Sequence, residues 1–148
     1  MKNKNIALAG NPNSGKTTIF NNMTGANQKT GNYPGVTVEK RSGTAKYQEH
    51  KFNIVDLPGT YSLSATAEDE VVARNYLLKE NPDAVINVLD ASNLYRNLYL
   101  TLQLIELEKP IVLALNMIDA AERAGISVNL ERLKLHFPNV RVHTTIGS

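Results

Sequence analysis

A phosphate-binding loop is the clearest chemical feature of the sequence. The run Gly10-Asn11-Pro12-Asn13-Ser14-Gly15-Lys16-Thr17 satisfies G-x-x-x-x-G-K-[ST], and it stands between a short apolar run and a helical pattern. In such a loop, successive backbone N–H groups and the helix N-terminus bind phosphate, and Lys16 adds a positive charge. The Thr17 hydroxyl can ligate Mg²⁺. We therefore expect this loop to bind the phosphates of a nucleotide.

Two shorter motifs follow the loop along the chain. Asp56-Leu57-Pro58-Gly59 matches D-x-x-G, in which the aspartate can hold a metal and the glycine N–H can contact a terminal phosphate. Asn116-Met117-Ile118-Asp119 matches N-x-x-D, and a carboxylate there can accept from two adjacent donors on the edge of guanine. Taken alone, the first is also a common turn and the second also a helix cap. Found in this order at strand ends, the three motifs predict a guanine-nucleotide site.

The hydrophobic pattern predicts an α/β fold that places these motifs at one edge of a sheet. The first half reads as a strand, a helix capped by Gly25, a mobile loop, and an antiparallel hairpin that turns at residues 48–50. The second half alternates helix and strand, as parallel sheets do. The predicted strands are 6–9, 36–47, 51–55, 84–90, 111–116 and 140–144; the helices are 16–24, 67–80, 94–108, 120–124 and 130–136; the loops are 26–34 and 57–66.

Composition limits the alternatives. A chain of 148 residues with 42% hydrophobic and 20% charged residues has the size and core of one domain, residues 1–148. It has no cysteine, which excludes disulfides, thiolate metal sites and thiol nucleophiles. A net charge of +2 does not favour nucleic acid as a partner. The apolar runs are too short to cross a membrane, so we expect this stretch to be soluble. No helix follows the last strand, so we also expect a C-terminally truncated domain.

The sequence resembles a known family of GTPases. The three motifs are typical of the translation-factor class, and residues 32–39 (NYPGVTVE), 56–63 (DLPGTYSL) and 87–98 (NVLDASNLYRNL) are similar to the cytoplasmic G domain of the ferrous-iron transport protein FeoB. The resemblance runs from about residue 6 to residue 119. It implies a P-loop NTPase of the Ras-like type, with a mixed, mostly parallel sheet and helices on both faces.

The resemblance also implies roles for single residues. Thr37 corresponds to the switch I threonine that joins Thr17 on Mg²⁺ in the GTP state, and Gly59 with its loop corresponds to switch II. Thr60 replaces the glutamine that orients the attacking water in Ras-like enzymes. In this family a K⁺ ion, ligated by the residue that corresponds to Asn13, supplies the missing positive charge. Thr145 falls where a guanine-contacting loop is expected, although the Ser-Ala pair of that loop is absent.

We therefore expect a GTPase that binds GTP/GDP, Mg²⁺ and K⁺, with four catalytic candidates: Lys16, Asn13, Thr37 and Gly59. The Mg²⁺ ligands would be Thr17, Thr37 and Asp56, and the K⁺ ligand Asn13. The nucleotide-binding set adds neighbours of these residues and is Gly10, Asn11, Pro12, Asn13, Ser14, Gly15, Lys16, Thr17, Thr18, Gly35, Val36, Thr37, Asp56, Leu57, Pro58, Gly59, Asn116, Met117, Asp119 and Thr145.

The resemblance implies a biological setting as well. That setting is Fe²⁺ transport at the cytoplasmic face of a bacterial inner membrane. The expected partners are the protein's own helical and transmembrane regions and a second copy of the domain, and no nucleic acid is expected. Two alternatives stay open on sequence alone. One is a soluble ribosome-assembly or RNA-modification GTPase, and the other is a binding switch with negligible hydrolysis.

Overall fold

The computed structural model describes residues 2–145 and contains one seven-stranded sheet. The strand order is β2-β3-β4-β1-β5-β6-β7. β4, β1, β5, β6 and β7 run parallel to one another, and β3 pairs antiparallel with both β2 and β4. This arrangement confirms the predicted mixed, mostly parallel sheet. The strands are β1 (Lys2–Gly10), β2 (Gln28–Asn32), β3 (Glu39–Tyr47), β4 (His50–Asp56), β5 (Ala84–Asp90), β6 (Ile111–Asn116) and β7 (Arg141–Thr144).

Five α-helices and one 3₁₀ turn connect the strands in the described part of the chain. They are α1 (Lys16–Thr24), α2 (Glu68–Glu80), the 3₁₀ turn Ala91–Asn93, α3 (Leu94–Glu106), α4 (Ile118–Arg123) and α5 (Leu130–His136). α1 ends where Gly25, at φ 56°, donates its N–H to the Asn21 carbonyl, which agrees with the expected glycine cap. Within residues 2–145, no helix has the length and hydropathy needed to cross a membrane.

The structure differs from the sequence prediction in three strand segments. Residues 36–38, predicted as the start of a strand over 36–47, lie in a turn, and β3 begins only at Glu39. Residues 26–34, predicted to be a mobile loop, contain strand β2, which pairs with β3 from Gln28↔Gly43 to Asn32↔Glu39. This strand is polar and largely exposed at the sheet edge, so it has no apolar alternation that would reveal it. β1 also begins at Lys2, four residues before the predicted start, because its polar first half pairs with β4. Backbone pairing, which needs no apolar side chain, extends both strands.

The helices cover both faces of the sheet. Alternate β1 residues point to opposite faces, so Leu8 packs with Phe20 of α1 and Ile54 of β4 on one face. On the other face Ala7 and Ala9 belong to a larger core that includes residues of α2 and α3. β1 lies in the middle of the sheet, and its carboxyl end at Gly10 is therefore held from both sides. The loops that follow β1, β4 and β6 meet at this edge.

Candidate functional site

The phosphate-binding loop joins β1 to α1 in the predicted position. Two of its glycines are required by close approaches of other groups. A Cβ on Gly15, whose φ is 88°, would lie 2.2 Å from the Asn116 Nδ2 atom. A Cβ on Gly10 would lie 2.8 Å from the Val88 carbonyl oxygen. The loop therefore leaves no room for side chains where it contacts β5 and β6, and its backbone conformation is fixed by those contacts.

A cavity of about 410 Å³ opens at the N-terminus of α1. The helix N-terminus presents unpaired backbone N–H groups to this space, which favours a negatively charged group there. Gly59 from the segment after β4 and Asp69 from α2 complete the wall, so three parts of the chain meet around it. The lining residues are Asn11, Pro12, Asn13, Gly15, Lys16, Thr17, Thr18, Gly59 and Asp69.

Lys16 and Asp56 form a buried ion pair beside this cavity. Each residue is 7% exposed, and the Lys16 Nζ donates to the Asp56 Oδ1. The same ammonium group also donates to the Leu57 carbonyl at 2.6 Å. Lys16 is held because it begins α1, and Asp56 is held because it ends β4, the neighbour of β1 in the sheet. The two charged groups predicted for phosphate and metal binding therefore lie in contact.

The segment that follows β4 packs directly against the phosphate-binding loop. A Cβ on Gly59 would come within 3.1 Å of the Pro12 Cα, so only glycine fits without displacement. The Thr60 N–H donates to the Gly10 carbonyl at 3.0 Å, and Thr60 is 5% exposed. Thr60 is not among the described residues that line the cavity. Leu57 is buried in the core and Pro58 is partly buried.

The N-x-x-D segment contacts the phosphate-binding loop through its asparagine. Asn116 is fully buried at the end of β6, and its Nδ2 donates to the Ser14 carbonyl at 3.1 Å. Met117, at φ 62°, makes the turn into α4, and Asp119 lies in the first turn of that helix. The Asp119 carboxylate is 41% exposed and accepts from the Arg123 guanidinium at 3.3 Å. This places a partly exposed carboxylate two residues beyond the turn.

Thr145 joins the same network from the end of β7. Its hydroxyl donates to the Asn116 Oδ1 at 3.0 Å, and its N–H donates to the Leu115 carbonyl at 2.8 Å. Asn116 thus connects Thr145 on one side with Ser14 on the other. The structure places Thr145 against Asn116 of the N-x-x-D motif, and a contact of Thr145 with guanine stays a prediction. Residues 146–148 of the predicted loop lie outside the described part of the chain.

The residues that the resemblance assigns to switch I lie in the turn between β2 and β3. Gly35, at φ 75°, makes this turn, and Val36 packs against the main core. Thr37 is exposed, and the structure does not include it among the described residues that line the phosphate-loop cavity. Of the expected Mg²⁺ ligands, Thr17 and Asp56 therefore lie at the cavity or beside it, and Thr37 lies in a separate turn.

Two residues at this site, Asp69 and Asn87, were not predicted from the sequence. Asp69 lines the cavity, whereas its position in the first turn of a helix suggests only a dipole interaction. Asn87 of β5 is fully buried, donates to the Ala9 carbonyl at 3.4 Å and accepts from the Thr101 hydroxyl. A polar asparagine inside an apolar strand is the signal that could have identified this support. Its amide holds the end of β1 just before the phosphate-binding loop.

Comparison with known proteins agrees with this geometry. The sequence model of the family described as "Ferrous iron transport protein B" matches residues 4–147. This chain belongs to that family.

Curated FeoB relatives are much longer than this chain. The Fe(2+) transporter FeoB of Shigella flexneri is 51% identical over 153 aligned residues, which cover 99% of this chain and 20% of that protein. The Fe(2+) transporter FeoB of Escherichia coli K12 is 50% identical with the same coverage. The FeoB-family chain thus spans about a fifth of the length of these relatives.

Solved FeoB structures share the fold. The FeoB G domain from Methanococcus jannaschii is 46% identical, with a TM-score of 0.88 over 99% of this chain and 88% of that one. The cytosolic domain of Thermotoga maritima FeoB in a GDP form gives a TM-score of 0.92 at 44% identity, over 99% of this chain and 57% of that one. A mutant of S. thermophilus NFeoB bound to GDP gives 0.90 at 50% identity, over 97% and 56%. The FeoB-family chain therefore has the P-loop NTPase fold of these G domains.

Substituting Thr145 tests whether its side-chain hydroxyl, rather than its backbone N–H, stabilises the contact with β6. Thr145→Ala removes one hydrogen bond to the Asn116 oxygen, so we expect the free energy of unfolding to fall by about 0.5–1.5 kcal/mol. Thr145→Ser keeps the hydroxyl and should stay close to the parent. Urea denaturation of the three proteins measures this difference. Equal losses for alanine and serine would show that the hydroxyl contact is not the stabilising feature.

Proposed function

We propose that this domain binds GTP and GDP with Mg²⁺ and hydrolyses GTP. The observation that carries the proposal is the contact of Asn116 with the Ser14 carbonyl, because it places the end of the N-x-x-D strand directly against the phosphate-binding loop. A nucleotide with its phosphates at the α1 N-terminus would then have its base near Asp119. FeoB relatives from S. thermophilus and T. maritima have been solved with GDP, which supports a guanine nucleotide.

The phosphates would be held mainly by backbone N–H groups of residues 10–18. These groups and the α1 N-terminus bind anions without a net charge of their own, and Lys16 supplies the charge. At the other end, Asp119 would accept from the two donors on the guanine edge, with Met117 beside the Gly15 position. Adenine lacks that pair of donors and would leave the carboxylate unpaired, so the site should select guanine.

The residues present fit a magnesium ion. Thr17 and Asp56 offer a hydroxyl and a carboxylate, which are the hard oxygen ligands that Mg²⁺ prefers, and phosphate oxygens complete such sites. Thr37 would add a third protein oxygen after switch I moves to the cavity. When bound, Mg²⁺ neutralises charge that develops on the phosphate oxygens. The chain's own part is to hold the γ-phosphate with Lys16 and the Gly59 N–H in line with an attacking water.

A potassium ion is the proposed substitute for an arginine finger. Asn13, at φ 66°, lines the cavity, and its amide oxygen is a hard donor of the kind that alkali cations accept. Thr60 is buried and bonded through its N–H to Gly10, which supports the view that it does not orient the attacking water. When bound, K⁺ adds positive charge next to the phosphates.

Replacement of Asn13 tests this role. We expect Asn13→Ala to lose the stimulation of GTP hydrolysis by K⁺ over Na⁺, with GDP affinity changed by less than about twofold, since backbone groups carry phosphate binding. Initial rates in matched KCl and NaCl buffers give the stimulation. Thr18→Ala, at another residue of the cavity wall, controls for general loss of the site. Equal K⁺ stimulation in Asn13→Ala and parent would remove Asn13 from the mechanism.

The biological setting proposed is Fe²⁺ transport. Curated relatives are Fe(2+) transporters of about five times this length, so the helical and transmembrane regions of such a protein would be partners of the domain. A second copy of the domain would be a further partner. The domain would lie at the cytoplasmic face of a bacterial inner membrane, with no nucleic-acid partner. Fractionation of the native protein tests this: a product that stays in membranes through a high-salt wash supports it, and a soluble product of this size contradicts it.

A further inference from the structure

Three side chains fasten the switch I turn to helix α2. Tyr33, which follows β2, packs edge-to-face against Tyr76 of α2, with ring centroids 6.3 Å apart and planes at 78°. The Lys40 ammonium lies 5.8 Å from the centroid of each ring, so both rings face the same cation. Tyr33 is 6% exposed although it stands in a connecting turn. We call Tyr33, Lys40 and Tyr76 the clasp.

The clasp closes the turn that carries Thr37. The Tyr33 N–H donates to the Val38 carbonyl at 3.0 Å, and the next pair outward is Asn32↔Glu39 of β2 and β3. Only four residues lie between Tyr33 and Val38, so Thr37 has little freedom while both ends of this turn are held. Because Tyr33 stands at the base of this turn, a movement of Thr37 to the phosphate-loop cavity would pull on the contact of Tyr33 with α2.

Two features limit the stability of the closed clasp. The Tyr33 hydroxyl is buried with no hydrogen-bond partner in residues 2–145, an arrangement that destabilises the closed turn. Burial, with smaller contributions from Tyr76 and Asp56, raises the pKa of this hydroxyl above its ordinary value, so it remains neutral. Beside the ring contact, a cavity of about 200 Å³ lies between the turn and α2, and Val36 and Val72 line part of it. The attraction between the rings and Lys40 is thus partly offset.

We propose that the clasp holds switch I in the conformation in which Thr37 is away from the nucleotide. The clasp must open when GTP binds but not when GDP binds, so the free energy of opening weakens GTP binding alone. The inference rests on the proposed function. A γ-phosphate and its metal would recruit Thr37, whereas GDP makes no demand on it. The free energy needed to open the clasp is then subtracted from GTP affinity alone. Since Tyr76 belongs to α2, opening also releases that helix from switch I.

Weakening the clasp should therefore favour the GTP-bound state. In Tyr76→Leu and in Lys40→Met, we expect a non-hydrolysable GTP analogue to bind about two- to fivefold tighter than to the parent, the range that one cation–π contact supplies. GDP affinity should stay unchanged. Tyr99→Leu, on the exposed face of α3, and Lys46→Met, at an exposed position of the same strand as Lys40, are matched controls that should leave both affinities unchanged. Competition titrations with a fluorescent nucleotide give the ratio of GTP-analogue affinity to GDP affinity for the parent and for each variant.

Tyr33→Phe should have the opposite effect. It keeps the ring and removes only the unpaired hydroxyl, so the clasp becomes tighter and the GTP analogue binds more weakly relative to GDP. Because both directions are predicted, a variant that merely unfolds cannot imitate the result. If Tyr76→Leu, Lys40→Met and Tyr33→Phe all keep the parent's ratio of the two affinities, the proposal is wrong.

A measurement without nucleotide separates this inference from the proposed function. Hydrogen exchange of the Tyr33 amide in the free protein reports opening of the turn, since that N–H bonds to Val38. We expect faster exchange in Tyr76→Leu and Lys40→Met and slower exchange in Tyr33→Phe. If the parent fails to bind guanine nucleotides, the proposed function fails while exchange still tests the contact. Parent-like exchange in all three variants overturns the clasp itself.

Discussion

Replacing Asp119 with asparagine is expected to lower GTP affinity by about 10²- to 10⁴-fold and to shift the preference of the domain to xanthosine nucleotides. The carboxylate would accept two hydrogen bonds from guanine, and a bond to a charged acceptor contributes about 1.5–3 kcal/mol, so losing both accounts for that range. The amide presents a donor where the carboxylate accepted, and xanthine has a carbonyl at the matching position. Competition of GTP and XTP against a fluorescent guanine nucleotide measures the exchange.

The structure supplies the control for this experiment. Asp119 accepts from Arg123 at 3.3 Å, one turn along α4, and both side chains are substantially exposed. Asp119→Asn weakens this pair as well, but an exposed pair of this kind contributes only about 0.3–0.5 kcal/mol. Arg123→Ala removes the same pair and keeps the carboxylate, so we expect GTP affinity close to that of the parent. A similar loss of GTP affinity in both variants, or unchanged GTP affinity in Asp119→Asn, would contradict the assignment of Asp119 to the base.

Replacing Lys16 with alanine is expected to damage stability and nucleotide binding together. Lys16 is the cation paired with the buried Asp56 carboxylate, and removing one partner of a buried pair costs about 3–5 kcal/mol of unfolding free energy. Phosphate binding loses a charge-assisted contact, so GTP affinity should fall by about 10- to 100-fold. Chemical denaturation and nucleotide titration measure the two effects separately.

The double variant Lys16→Ala with Asp56→Ala separates these two consequences. Removing both charges leaves no uncompensated ion, so we expect much of the lost stability to return. Nucleotide binding and turnover should not return, because neither the phosphate contact nor the metal carboxylate is restored. If the double variant is as unstable as the sum of the single variants, the two side chains do not depend on each other in the folded protein. If it regains GTP turnover, Lys16 has no part in the reaction.

Local sequence signals predicted the parts of the fold that have strong patterns. The apolar runs at residues 84–90 and 111–116 are largely buried strands and have the predicted bounds, since both faces of a central parallel strand require apolar side chains. The phosphate-binding loop was equally predictable, because its glycines and lysine occur at fixed spacing between a strand and a helix. The hairpin of β3 and β4 turns where predicted, with Gln48 at φ 53°.

Strand β2 shows why other parts of the fold could not be predicted from the sequence. Gln28–Asn32 is polar, lies at the sheet edge and forms a strand only because β3 offers it a row of backbone partners. Nothing in those five side chains indicates this pairing. The same limit applies to Tyr33, because its place in a polar loop does not indicate that the fold buries it against α2.

By itself, the sequence determined the class of fold, the chemical type of each motif and the order of the motifs along the chain. Those properties depend on residue type and short spacing, which act locally. Only the tertiary structure decided that Asp56 pairs with Lys16, that Asn116 joins Ser14 to Thr145, and that Thr37 lies in a turn held by Tyr33. The first contacts link residues 29 to 102 positions apart in the sequence. The turn of Thr37 depends on the edge strand β2, which no local sequence pattern predicts. Their partners are chosen by how the sheet brings distant strand ends together, which no local pattern encodes.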